Sequence, residues 1–128
     1  MTSTSGDPNP ADIQKRIASG NFVDALRDID TLLARNPEHA EALYMAAVCY
    51  RYTKQYEKAQ DCLNALKSVS HDRGRVFQEQ GHLHVALNQL EKALAAFANA
   101  CQLNPEISEL KSAIRLTTDS CALAYQPR

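Results

Sequence analysis

The chain has 128 residues, with 14 Lys and Arg against 15 Asp and Glu and a formal net charge of −1. That length allows one domain with a real core, and the balanced charge leaves no global field to draw in nucleic acid or an anionic membrane surface. Hydrophobic residues make up 45%, no apolar run approaches the roughly 20 residues of a bilayer span, and Met1 to Asp7 carries neither the basic nor the apolar region of a secretory signal.

Residues 1–7 are rich in Ser, Thr and Gly and are expected to form a disordered tail. Asp7-Pro8 then offers an N-cap followed by a first-turn proline. Seven helical segments are predicted, at 8–19, 22–35, 39–53, 56–69, 73–87, 90–103 and 107–124. Gly20-Asn21 breaks the first pair. Asn36-Pro37 and Asn104-Pro105 end the second and sixth segments, because proline disfavours helical geometry in the residue before it. The short connections force neighbouring helices antiparallel. In the sixth segment Leu90, Ala93, Leu94, Phe97, Ala100, Cys101 and Leu103 make one broad apolar stripe. Cys49, Cys62, Cys101 and Cys121 form no Cys-x-x-Cys pair and read as reduced thiols used as small apolar residues, which fits a cytoplasmic chain.

The segments repeat. Ala25, Ala59 and Ala93 are each 34 residues apart, and each follows an aromatic or apolar residue and two mostly charged positions: Phe22-Val23-Asp24, Tyr56-Glu57-Lys58 and Leu90-Glu91-Lys92. A fixed period of this length implies stacked supersecondary units, which present extended binding surfaces. Small residues at Ala47 and Gly81 on one helix, and at Ala59 and Ala93 on the next, let backbones approach closely. Leu43, Tyr50, Phe77 and Phe97 fill the wedges between them.

These residues resemble the tetratricopeptide repeat, W-x2-L-G-x2-Y, then A-x3-F, then P. The third unit reads Phe77-x2-Gln80-Gly81-x2-His84, then Ala93-x3-Phe97, Ala100 and Pro105. The second reads Leu43-x2-Ala46-Ala47-x2-Tyr50, then Ala59-x3-Leu63, and the first keeps Ala25-x3-Ile29 and Pro37. The resemblance implies an all-α fold, a right-handed α-α superhelix of three antiparallel helix hairpins with a C-terminal capping helix. It would span 8–124, with repeats at about 8–37, 40–73 and 74–107 and the cap at 108–124. Departures fall at Leu66, where the third unit has Ala100, and at His71, where a closing proline would stand. Ile13 replaces the small residue of the first hairpin. Arg115 stands one period after Gly81, so the last segment reads as a cap with a polar outer face.

In the resembling family the first helices of the pairs line a concave groove that binds a peptide or protein segment. The matching positions are Glu41, Tyr44, Met45, Val48, Arg51 and Tyr52 in the second unit and Arg75, Gln78, Glu79, His82, Val85 and Ala86 in the third. Gln14, Ile17 and Ala18 correspond in the first. Chaperone-binding members hold a terminal carboxylate with a clamp of Lys, Asn and Arg. That clamp is missing: Val48 and Gln14 replace its asparagines, and Glu79 replaces a basic residue. Tyr44, Met45, Val48 and Tyr52 instead make an apolar and aromatic patch, rimmed by Arg51, Arg75, Glu79 and His82.

His82-x-His84 is a poor metal pair, because residues two apart on a helix point about 200° from each other. Arg73 and Arg75 flank Gly74 in a turn and read as solvated charges. No phosphate loop, nucleophile elbow or His-Glu-x-x-His motif occurs. The expectation is a non-enzymatic interaction module with no catalytic residue, metal or cofactor, and with a protein or peptide partner. The alternatives are a regulatory or assembly domain of a larger, possibly enzymatic protein, or a homodimerisation module using the Tyr44/Tyr52 patch.

Overall fold

The computed structural model describes residues 8–70, 72–104 and 114–117. Among the described residues, six helices have both ends defined: α1 (Pro10–Ala18), α2 (Phe22–Arg35), α3 (Ala40–Tyr52), α4 (Tyr56–Val69), α5 (Arg73–Ala86) and α6 (Leu90–Leu103). Among the described residues there is no strand. The predicted tail at 1–7, His71, Cys121 and most of the predicted cap lie outside the described residues, although residues 114–117 are helical. Arg115 is exposed there. Among the described residues no helix is long and apolar enough to cross a membrane.

Helices α2, α4 and α6 occupy the predicted spans. Helix α1 starts later than expected, because Asn9, not Asp7, is its cap. The Asn9 Oδ1 accepts the Ala11 N–H at 2.9 Å, and Pro10 takes the first helical position. Gly74 also departs from the reading as a turn. It is buried in the first turn of α5, and a Cβ there would lie 2.5 Å from Asn104 Nδ2. Asn104 in turn donates from Nδ2 to Asp72 Oδ1 at 3.2 Å, and the same oxygen accepts the Arg75 N–H at 3.1 Å. One carboxylate thus caps α5 and ties it to the end of α6.

The period recurs in the backbone. Gly20, Lys54 and Asn88 are spaced by one repeat and have φ of 84°, 64° and 59°. Each ends a first helix with the same pair of bonds. The Lys54 N–H donates to the Arg51 carbonyl at 3.1 Å and the Gln55 N–H to the Tyr50 carbonyl at 2.8 Å; Asn88 and Gln89 repeat this on Val85 and His84. This left-handed cap closes carbonyls that would otherwise be orphaned. Glycine adopts it freely and asparagine tolerates it, but lysine bears the Cβ penalty. Lys54→Gly is therefore expected to raise the urea unfolding free energy by on the order of 1 kcal/mol, with Asn88→Gly gaining less. A loss of stability in Lys54→Gly would contradict this geometry.

The chain divides after Ser70 into two compact units. In the first, α1 packs on α2, α2 on α3 and α3 on α4. Its core gathers Ile13, Ala25, Ile29, Leu32, Ala42, Met45, Ala46 and Cys49, and the small Ala47 and Ala59 are also buried. Ile13 takes the place of a small residue, yet it is fully buried and, with Ile17 packed beside the cluster, anchors α1 to this core. Arg16 of α1 also pairs with Asp28 of α2. Leu63 and Leu66 are buried on α4. In the second unit α5 packs on α6. Ala93, Phe97 and Ala100 form its core, with Phe77, Cys101 and Ile114 packed against them.

Candidate functional site

The predicted groove residues of the first unit lie along α3. Glu41, Tyr44, Val48 and Arg51 follow one another at spacings of three, four and three, so they share one helical face, and each is half-buried. Met45 departs from expectation. It is 2% exposed and belongs to the core cluster, so its side chain packs inside the unit instead of lining a surface. The reason is that the buried face of α3 is wide, running through Ala42, Leu43, Met45, Ala46, Ala47 and Cys49, and Met45 falls within it.

Both ends of the half-buried stripe are held by neighbours. At the start of α3, Gln14 Nε2 of α1 donates to Glu41 Oε1 at 2.8 Å. At its end the Arg51 guanidinium carbon lies 4.4 Å from the centroid of the Tyr52 ring, a cation–π contact. Tyr52 is 55% exposed, and its ring stacks on Phe22 of α2 with centroids 4.9 Å apart and planes 7° from parallel. Phe22 was legible only as a member of the repeating segment, not as a partner of Tyr52. Phe22 opens α2 and Tyr52 closes α3, so the contact joins residues 30 positions apart on different helices.

In the second unit Arg75, Gln78 and His82 are half-buried on α5. Glu79 is 2% exposed, so it is a buried carboxylate and not a rim charge. His82 meets the Phe97 ring edge-on, with centroids 5.1 Å apart. Its neighbour His84 is half-buried, with Nδ1 2.8 Å from Gln89 Oε1 at the end of the helix. Val85 and Ala86 are exposed. Among the described residues no group of three or more His, Cys, Asp or Glu side chains is placed to hold a metal ion.

The first unit also holds two protected thiols. Burial raises the Cys49 thiol to about 11. Burial, followed by the Asp61 and Asp30 carboxylates, raises Cys62 to about 11. Both therefore stay protonated near neutral pH, which makes them poor nucleophiles. The Tyr50 hydroxyl is raised too, by burial first and then by Asp30 and the two thiols.

The comparisons with known proteins agree with these hairpins. Two tetratricopeptide repeat family models match residues 16–78 and 74–107. The chain belongs to the tetratricopeptide repeat family. The first such domain of human RPAP3 superposes with a TM-score of 0.79 at 18% identity, covering 89% of this chain and 90% of that one. The first such domain of Spaghetti (RPAP3), solved with the HSP90 peptide SRMEEVD, superposes with a TM-score of 0.76 at 18% identity, covering 88% and 90%. These likenesses show a shared helical repeat fold. In sequence the chain is 31% identical over 115 residues to the mouse BBSome complex member BBS4, across 85% of its own length and 22% of BBS4. It therefore spans about a fifth of that relative.

Proposed function

We propose that this chain is a protein-interaction module that binds a peptide or protein segment on the α1/α3 face of its first unit; Arg75, Gln78 and His82 of α5 are separate candidates on the second unit. The observation that carries the reading is the half-buried Tyr44–Val48 strip ending in the Phe22–Tyr52–Arg51 stack. Tyrosine and arginine are among the residues most enriched at binding hot spots, and tyrosine adds large contact area at small entropy cost. The role needs no chemistry. The free thiols Cys49, Cys62 and Cys101 fit a reducing, cytoplasmic setting.

Tyr52→Ala is expected to weaken capture of partners by the full chain about tenfold or more while leaving the circular dichroism spectrum unchanged, since truncating a hot-spot aromatic typically costs about 2 kcal/mol. Recovery of the same partners at the same affinity would refute the reading. The relative with the HSP90 peptide marks a ligand class this chain is not built for. Its Gln14, Val48 and buried Glu79 do not supply a carboxylate clamp. A titration with SRMEEVD should show no saturable binding. A second reading, an assembly domain within a larger complex, is favoured by the likeness to BBS4, a BBSome complex member of which this chain matches about a fifth.

A further inference from the structure

Helix α1 ends in an exposed serine. Ser19 is its C-cap, and the next residue, Gly20, turns left-handed at φ 84°. The Ser19 backbone N–H donates to the Lys15 carbonyl at 3.0 Å, while its hydroxyl makes no hydrogen bond among the described residues. Arg16 stands three positions before it and Lys15 four, and Ser19 is the one serine in the chain with an arginine at that spacing. Cations at a fixed distance before a hydroxyl are what an acidic kinase cleft reads when it selects an acceptor.

In the fold Arg16 is paired with Asp28 of α2, so the acceptor segment is presented only when α1 opens. The helix has nine residues, too few to be stable alone. Ile13 is its one fully buried side chain, with Ile17 half-buried beside it. Such a segment opens locally far more often than the whole unit unfolds.

We propose that Ser19 is the acceptor of an arginine-directed serine kinase, and that its phosphate holds α1 away from the rest of the first unit. The γ-phosphoryl group of ATP passes to Ser19 Oγ. The bond from phosphorus to the ADP oxygen breaks, a bond to Oγ forms, the hydroxyl proton goes to the kinase's catalytic carboxylate, and ADP leaves. The added group carries a charge of about −1.5 to −2 at pH 7. It sits at the negative end of α1, where the helix dipole repels it. It also lies one turn from Arg16, and so competes with Asp28 for the guanidinium that ties α1 to α2. Both effects favour the open state. Gln14 and its bond to Glu41 belong to α1, so opening withdraws one side of the α1/α3 face. That consequence rests on the binding reading, whereas the acceptor and the opening do not.

The test incubates the full chain with a purified calmodulin-dependent serine kinase, Mg²⁺ and ATP, and places the phosphate by mass spectrometry. Ser19 is expected to carry it, and Ser19→Ala to lose it. Asp28→Asn frees Arg16 without touching the acceptor segment and should raise the initial rate twofold to fivefold. Hydrogen exchange on the phosphorylated chain should show the α1 amides from Ile13 to Ala18 exchanging threefold to tenfold faster than in the unmodified chain, with α4 unchanged. No phosphate on Ser19 would overturn the site, as would phosphate on Thr118 alone, the one threonine with an arginine three positions before it. α1 amides that exchange at the same rate or more slowly once Ser19 is modified would overturn the switch. Neither readout uses a binding partner, so failure here leaves the binding face standing, and failure of that face leaves Ser19 standing.

Discussion

Gly81→Ala is expected to destabilise the second unit, although alanine is the better helix former by up to about 1 kcal/mol. A Cβ at Gly81 would lie 2.5 Å, 2.6 Å and 2.8 Å from three carbons of the Phe97 ring. That ring cannot slide aside. It is 1% exposed, packs in the core with Ala93 and Ala100, and meets the edge of His82. Overpacking of this kind costs on the order of 1–3 kcal/mol, which outweighs the propensity gain. Gly81→Val should lose more. The cause is checked by a double-mutant cycle: Phe97→Leu removes the ring, so Gly81→Ala in that background should cost much less than alone. A Gly81→Ala chain as stable in urea as the parent would show that the two helices do not approach at this residue.

Alkaline pH should weaken the first unit, in a window set by two thiols. Cys49 and Cys62 are each raised from 9.0 to about 11 in the fold. The folded chain thus keeps these protons where the unfolded chain has released them. The stability this provides is fully present below about pH 9 and is lost as pH rises towards 11. A rise of this size corresponds to at most about 3 kcal/mol for each thiol. Tyr50, also raised, acts in the same direction at the upper end of the range. Urea midpoints measured from pH 8 to 10.5 should fall, and the slope should flatten in the Cys49→Ala, Cys62→Ala double variant. Comparing slopes separates the thiols from other groups that titrate in this range. A parallel decline in both chains would assign the pH dependence elsewhere.

The repeat architecture was legible because its signals are local and periodic. Small residues at Ala47, Ala59, Gly81 and Ala93 mark close helix contacts, and Pro37 and Pro105 mark the ends of α2 and α6; those two helices and, by its period, α4 fall on their predicted spans. Geometry that competes between adjacent residues was less legible. Asn9-Pro10 and Asp7-Pro8 are both plausible starts, and only the hydrogen bond from Ala11 to Asn9 decides between them. The αL caps at Lys54 and Asn88 were hidden because neither is glycine, yet both align with Gly20 at one period. In the candidate site the stripe spacing was readable, but its depth was not. Met45 and Glu79 occupy family groove positions and are buried, because burial depends on how neighbouring helices cover each position. The pairing of Phe22 with Tyr52 joins different helices, so no local pattern announces it.

The central claim is that partners bind the α1/α3 face through the Tyr44, Val48 and Tyr52 side chains. Amide chemical-shift mapping on the nitrogen-15-labelled full chain, titrated with a captured partner, tests it most directly. The expected shifts concentrate at Gln14, Glu41, Tyr44, Val48, Arg51 and Tyr52, with those of the exposed α2 and α4 positions Asp30, Asp61 and Lys67 unchanged. Shifts confined to Asp30, Asp61, Lys67 and their neighbours would place the partner on the other helices and contradict the account.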